Sequence, residues 1–103
     1  MSKLQNVSVV KKANIYYDGK VTSRTVELAD GSIQSLGIML PGEYTFGTNE
    51  AEIMEIMSGE LDIKLPNEEW KTLSTPETFN VGANSSFDLK IKTVTDYCCS
   101  YIK

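Results

Sequence analysis

The stretch PGEYTFGTNEAEIMEIMSGELDIKLP, Pro41 to Pro66, decides how the chain is read. Pro41-Gly42 and Ser58-Gly59 are turn dipeptides, and each is followed by a short run with the texture of a strand. In Leu61-Asp62-Ile63-Lys64-Leu65 apolar and polar residues alternate, the period of a strand with one buried and one wet face. One run is ambiguous. Ile53, Met54, Ile56 and Met57 also suit a helix over Asn49–Ser58, but the Ser58-Gly59 turn follows at once, so a strand is expected over Glu52–Met57.

The same texture extends in both directions. Asp18-Gly19, Asp30-Gly31, Pro66-Asn67, Pro76-Glu77 and Gly82-Ala83-Asn84 mark further turns. Between the turns, strands are expected at Val21–Leu28, Ile33–Leu40, Glu43–Phe46, Glu60–Leu65, Thr78–Val81, Phe87–Val94 and Asp96–Ile102. The chain carries 7 Val, 8 Ile and 9 Thr against 4 Ala, a balance that favours strands over helices. Many short strands with frequent turns predict an all-β sandwich or barrel. With 103 residues there is room for one domain, expected at 14–103 behind a mobile or loosely attached N-terminal arm at 1–13.

Composition removes several functional classes. The net charge is −4 with no basic tract, which argues against nucleic acid as a partner. No apolar stretch approaches the ~20 residues of a membrane span, and the first residues hold no apolar run of signal-peptide length. Histidine is absent altogether. A Ser-His-Asp triad and a His-ligated metal are therefore excluded, and an identical partner chain could not supply the imidazole. Cys98 and Cys99 are adjacent, so on a strand they point to opposite faces and form no disulfide framework. Free thiols fit a reducing cytoplasm.

The spacing around Pro41–Pro66 resembles the first half of a cupin, G-x5-H-x-H-x3,4-E-x6-G. Glu52 and Gly59 reproduce the E-x6-G portion, and counting back puts the two His slots at Phe46 and Thr48. In the second cupin pattern, the last His slot falls on Phe87. Three of the four metal-ligand slots thus hold no ligand. A lone Glu52 carboxylate does not assemble the converging donors that a transition metal needs. The resemblance implies a cupin (double-stranded β-helix, jelly-roll) barrel emptied of metal.

A closer resemblance lies in YYDGKV (Tyr16–Val21), GIMLPGEYTFGT (Gly37–Thr48), MSGELDIKLP (Met57–Pro66), EEWKTL (Glu68–Leu73) and FNVGANSSFDLKI (Phe79–Ile91). Together these resemble the pyrimidine/purine nucleoside phosphorylase family over roughly residues 14–102. One departure is Gly82, where the family usually carries Pro. The resemblance implies a single-domain cupin, a homodimer, and phosphorolysis of purine and pyrimidine nucleosides to free base and ribose 1-phosphate. No cofactor is implied beyond inorganic phosphate as co-substrate.

That reaction breaks a glycosidic bond through an oxocarbenium-like transition state. Phosphate needs cations and N–H or O–H donors; Lys20 and Arg24 on one strand face, and Ser85 and Ser86 in the 82–86 turn, are the candidates. Ribose needs carboxylate acceptors. Glu52, in the former metal slot, is expected inside the barrel, and alternation sends Glu43 outward. The base needs flat apolar faces, for which Tyr44, Phe46 and Phe87 are the candidates, with Thr48 beside them. Trp70 reads as core or dimer interface. Protonation of the departing base is left open between a neutral Glu52, a tyrosine, a water and no acid at all, while Asn80 could only hydrogen-bond it. A non-catalytic cupin that binds a nucleoside, sugar or other small metabolite is the alternative; a metal-free sugar isomerase or a structural dimer with a filled barrel is a third.

Overall fold

The computed structural model describes residues 2–103. Met1, the first residue of the expected arm, lies outside the described residues. The described residues form eleven strands: β1 (Ser8–Val9), β2 (Asn14–Tyr16), β3 (Val21–Glu27), β4 (Ile33–Met39), β5 (Gly42–Gly47), β6 (Ala51–Ser58), β7 (Leu61–Lys64), β8 (Lys71–Leu73), β9 (Glu77–Val81), β10 (Ser86–Ile91) and β11 (Thr95–Ile102). The all-β expectation holds, and the ambiguous Asn49–Ser58 run is strand. Its Met54 and Ile56 are buried while Glu55 and Met57 between and beyond them face out, a period of two that no helix shares.

The strands divide into two antiparallel sheets. The large sheet runs β1-β3-β4-β11-β6-β9, with β2 also paired to β3, and the small sheet runs β5-β10-β7-β8. Within the large sheet, β11 is the central strand, bonded on one side to β4 and on the other to β6. The inner faces pack on each other. Met39, Met54, Ile56 and Tyr97 from the large sheet share one core with Tyr44, Ile63, Phe87 and Leu89 from the small one. Hydrogen-bonded pairing runs within each sheet, so the expected barrel takes the form of a two-layered sandwich.

Three short strands escape the sequence pattern. β1, β2 and β8 have two or three residues each, too few for alternation to show. β1 ties part of the N-terminal arm to the sheet, with Ser8 opposite Glu27 and Val9 opposite Val26. Ser2, Leu4 and Val7 lie over the outer face of the large sheet, where they and Val26, Leu36, Met57 and Cys98 line a hollow of about 480 Å³. This cover explains why Val26 is buried on the outward side of β3. At the other end of the expected β10, Lys92 and Thr93 leave the ladder and donate their N–H groups to Glu60 O. Trp70 is not in the core. It is 39% exposed and carries the Lys90 ammonium 4.3 Å from its ring centroid.

One glycine is required by packing. A Cβ at Gly37 would stand 2.2 Å from Thr22 O and 2.7 Å from the Tyr97 ring. The missing side chain is what lets Tyr97, directly opposite on β11, lie across β4.

Candidate active site

A cavity of about 280 Å³ opens between the two sheets, near the lower end of the roughly 300–1,000 Å³ that ligand sites enclose. Its two walls differ in chemistry. One wall is aromatic. Phe46 on β5 and Phe87 on β10 are register partners, with ring centroids 6.1 Å apart, and Tyr16 meets Phe46 edge-on at 5.9 Å. Tyr16 is brought there by the turn that follows it, a 3-10 turn over Tyr17–Gly19. Tyr17 has the unusual φ of 52° for an aromatic residue. Its hydroxyl fixes that conformation by donating to Thr45 O at 2.6 Å and accepting from the Thr45 N–H at 3.0 Å.

The opposite wall is a row of polar side chains on the inner face of the large sheet: Ser23, Ser35, Glu52, Tyr97, Cys99 and Tyr101. Strand register assembles them. Cys99 stands opposite Ser35 on one side and Met54 on the other, and Tyr101 stands opposite Glu52. The Ser35 and Tyr101 hydroxyls are hydrogen-bonded at 3.0 Å. Cys99 shares this strand face with Tyr101 and lines the cavity with Glu52. Asn14 Nδ2 donates to Ser23 Oγ at 3.2 Å, which ties β2 to this wall.

Burial sets the electrostatics here. It pushes the Glu52 carboxyl above the usual carboxylate range, opposed by the nearby Cys99 thiol and reinforced by the neighbouring charge of Glu50. Burial also pushes Tyr97 and the Cys99 thiol up to about 12 and Tyr101 higher still. All three are therefore neutral donors at physiological pH. Cys98, on the outer face, is raised to about 11, again by burial, so neither thiol is an activated nucleophile.

The structure brings three of the ten sequence candidates to this cavity: Glu52, Phe46 and Phe87. Tyr44 points inward as alternation requires but is core, 4% exposed, with its hydroxyl donating to Leu40 O at 2.6 Å. Thr48 is buried in a turn contact. Its hydroxyl donates to Gly82 O at 2.6 Å and accepts from the Ser85 N–H at 3.0 Å. Ser85 and Ser86 lie at the same end, and Ser86 is the register partner of Gly47, which lines the cavity. Lys20, Arg24 and Asn80 are exposed and not among the lining residues. Arg24 donates to Lys11 O instead. Asn80 falls on the outward face because its neighbours Phe79 and Val81 are buried.

Sequence reasoning missed Tyr16, Ser23, Ser35, Tyr97, Cys99 and Tyr101. The signal for the last three was present in β11, where Tyr97, Cys99 and Tyr101 share one strand face. Ser23 and Ser35 had none, since a serine on a strand is common on either face. Among the described residues no group of three or more His, Cys, Asp or Glu side chains converges on a point.

Comparison with known proteins decides the family. The model of the pyrimidine/purine nucleoside phosphorylase family matches residues 11–101. The chain belongs to that family. A relative named pyrimidine/purine nucleoside phosphorylase, from Sulfurimonas denitrificans, is 80% identical over 103 residues and is matched along the full length of both chains. A solved structure of a protein of unknown function from Acinetobacter sp. ADP1 superposes with a TM-score of 0.93 at 36% identity, covering 97% of this chain and 98% of that one. The ethanolamine utilization protein EutQ of Salmonella typhimurium shares the fold alone, with a TM-score of 0.69 at 12% identity over 97% of each chain. Its likeness makes the two-sheet family fold cupin-like.

Proposed function

We propose that this protein is a metal-independent nucleoside phosphorylase that turns purine and pyrimidine nucleosides and phosphate into free base and ribose 1-phosphate. Family membership supports the reaction class, and the observation that carries it is the two-faced cavity. An aromatic wall of Tyr16, Phe46 and Phe87 suits a planar base, and a hydroxyl and carboxylate wall suits a sugar. The aromatic wall offers π-faces and few edge donors, so it accepts bases of either class. The metal-independent reading rests on the donor set, with Phe46, Thr48 and Phe87 at the cupin ligand positions.

In this reading Glu52 accepts hydrogen bonds from ribose hydroxyls. Glu50 and Glu52, both at the cavity, stabilise the positive charge that builds on the sugar as the glycosidic bond lengthens. Phosphate is drawn to the Gly47–Asn49 end, where the adjoining 82–86 turn adds the hydroxyls of Ser85 and Ser86. We assign Lys20 and Arg24 no contact with substrate; they are candidates for steering the anion to a chain of net charge −4. Free Cys98 and Cys99 fit a cytoplasmic setting.

A homodimer is also inferred, as the family resemblance implies. The outer face of the large sheet leaves Leu36, Ile38 and Met57 partly exposed beside the N-terminal arm, and these apolar side chains suit contact with a second copy.

The test is base release from uridine and adenosine by EDTA-treated protein, with and without phosphate. Release that requires phosphate and survives the chelator supports the proposal. Tight nucleoside binding without release would replace it with the non-catalytic cupin.

A further inference from the structure

We propose that Tyr17 is a positioning residue: its hydroxyl, bonded to both backbone groups of Thr45, holds the turn after β2 against β5 and sets Tyr16 as the rim of the base slot, where it favours a purine over a pyrimidine. The inference deepens the nucleoside reading of the cavity and rests on it.

The turn does not hold itself. Tyr17, Asp18 and Gly19 follow one another with φ of 52°, 56° and 91°. Glycine adopts such angles freely, but the other two do so against a steric cost and keep them only where surrounding contacts hold them. Within the turn the Lys20 N–H donates to Tyr17 O at 3.1 Å. The remaining contacts come from the other sheet. Among the described residues β5 is an edge strand of the small sheet, paired only with β10. The Tyr17 hydroxyl donates to Thr45 O at 2.6 Å and accepts from the Thr45 N–H at 3.0 Å. A phenol thus does for Thr45 what a neighbouring strand would do. The Tyr17 ring packs on Tyr44 with centroids 4.9 Å apart and meets Phe46 edge-on at 5.6 Å. The turn joins β2 to β3 of the large sheet, so Tyr17 ties the two sheets together.

Tyr16 precedes the turn, pairs with Val21 of β3 and stands edge-on to Phe46 in the cavity wall at 5.9 Å. The three rings of that wall form a row from core to solvent. Phe87 is buried, Phe46 is partly buried and Tyr16 is 42% exposed. A single-ring pyrimidine is covered by Phe46. The second, fused ring of a purine needs further apolar surface. Phe87 is packed into the core and has little face to give, so the purine extends toward Tyr16. Loss of the Tyr17 hydroxyl would let the turn relax and carry Tyr16 away from Phe46.

A double-mutant cycle on the Kd for adenosine and uridine, measured by calorimetry, tests this in wild type, Tyr16→Ala, Tyr17→Phe and the double variant. Tyr17→Phe keeps the ring and removes both hydrogen bonds. Tyr16→Ala should weaken adenosine about tenfold and uridine only about twofold. Tyr17→Phe should weaken adenosine about fivefold, and the double variant should bind no more weakly than Tyr16→Ala, because the hydroxyl acts through Tyr16. Effects that multiply, or equal losses for the two nucleosides in Tyr16→Ala, would overturn the proposal. NMR reads the positioning without ligand. In Tyr17→Phe the NOE between the Tyr16 and Phe46 rings should weaken and the Thr45 amide should exchange about tenfold faster, while the amides of β11 keep their rates. An unchanged NOE, an unchanged Thr45 rate, or faster exchange throughout β11 overturns the positioning role. Should wild type bind neither nucleoside, the phosphorylase reading falls and the purine preference with it, and the positioning of Tyr16 is decided by the NMR pair alone.

Discussion

Phe46 and Phe87 face each other across the β5–β10 pair, and both stand where the cupin spacing calls for a metal-binding histidine. Their rings lie 6.1 Å apart at a tilt of 34°. Positions that hold imidazole donors in a metal-binding cupin here make one side of an apolar slot. The two rings nevertheless differ in exposure: Phe87 is 3% exposed and belongs to the core, while Phe46 is only partly buried against it.

Substitution should separate the two. Phe87→Ala removes a core ring and should cost about 3–5 kcal/mol of stability. Phe46→Ala should cost clearly less. It should instead raise the nucleoside KM about tenfold, in line with the ~1–3 kcal/mol of a base–aromatic stack. Chemical denaturation and steady-state kinetics on the same samples check both halves.

Glu52→Gln should weaken function and strengthen the fold. The folded state holds the Glu52 proton more tightly than the unfolded chain does. Stability therefore falls as pH climbs from the ordinary carboxylate range through the raised folded value, and the cost persists at neutrality. Gln carries no charge to bury. Its Tm should exceed wild type by about 1–3 °C at pH 7.5, and the difference should vanish near pH 4. Scanning calorimetry at the two pH values reads this directly, and base release should drop at the same time.

Gly37→Ala tests the packing of Tyr97. The new methyl would press on Thr22 O, a backbone atom that cannot swing away. The β3–β4 pairing must part or the Tyr97 ring must leave the cavity wall. A loss of about 1–3 kcal/mol is expected, with weaker nucleoside binding, measured by denaturant titration and by calorimetric binding.

Ser85→Ala combined with Ser86→Ala should raise the KM for phosphate severalfold and leave the KM for nucleoside nearly unchanged. An equal rise in both would move phosphate away from the 82–86 turn.

Leu36→Lys places a charge among the apolar side chains on the outer face of the large sheet. Light scattering should find wild type as a dimer and the variant as a monomer, with a lower melting midpoint that no longer rises with protein concentration.

The strands with visible alternation were legible from sequence, down to the outward turn of Glu43 and the opposite faces of Cys98 and Cys99. Glu52 was found because a spacing marked it. The polar wall was not, because it is made by register. Ser35 meets Cys99 across 64 positions of chain, and nothing local to either residue announces the other. Lys20, Arg24 and Asn80 were chosen by charge or amide chemistry, which says nothing about the sheet face on which a side chain ends. Tyr44 and Thr48 followed the correct alternation, yet interior positions at a cavity's edge divide between lining it and supporting it, and these two support.

The place of β11 has a consequence for biosynthesis. This strand lies between β4 and β6, yet it follows every other strand in the chain. Until Thr95–Ile102 have left the ribosome, β4 and β6 have no partner between them and the inner wall lacks Tyr97, Cys99 and Tyr101. The nascent chain cannot settle one half at a time, as chains with local pairing do. It must wait, with its two sheet edges open, for the last eight-residue strand to be inserted, and a stop codon just before Thr95 would part the large sheet into β1-β3-β4 and β6-β9 rather than merely shorten it.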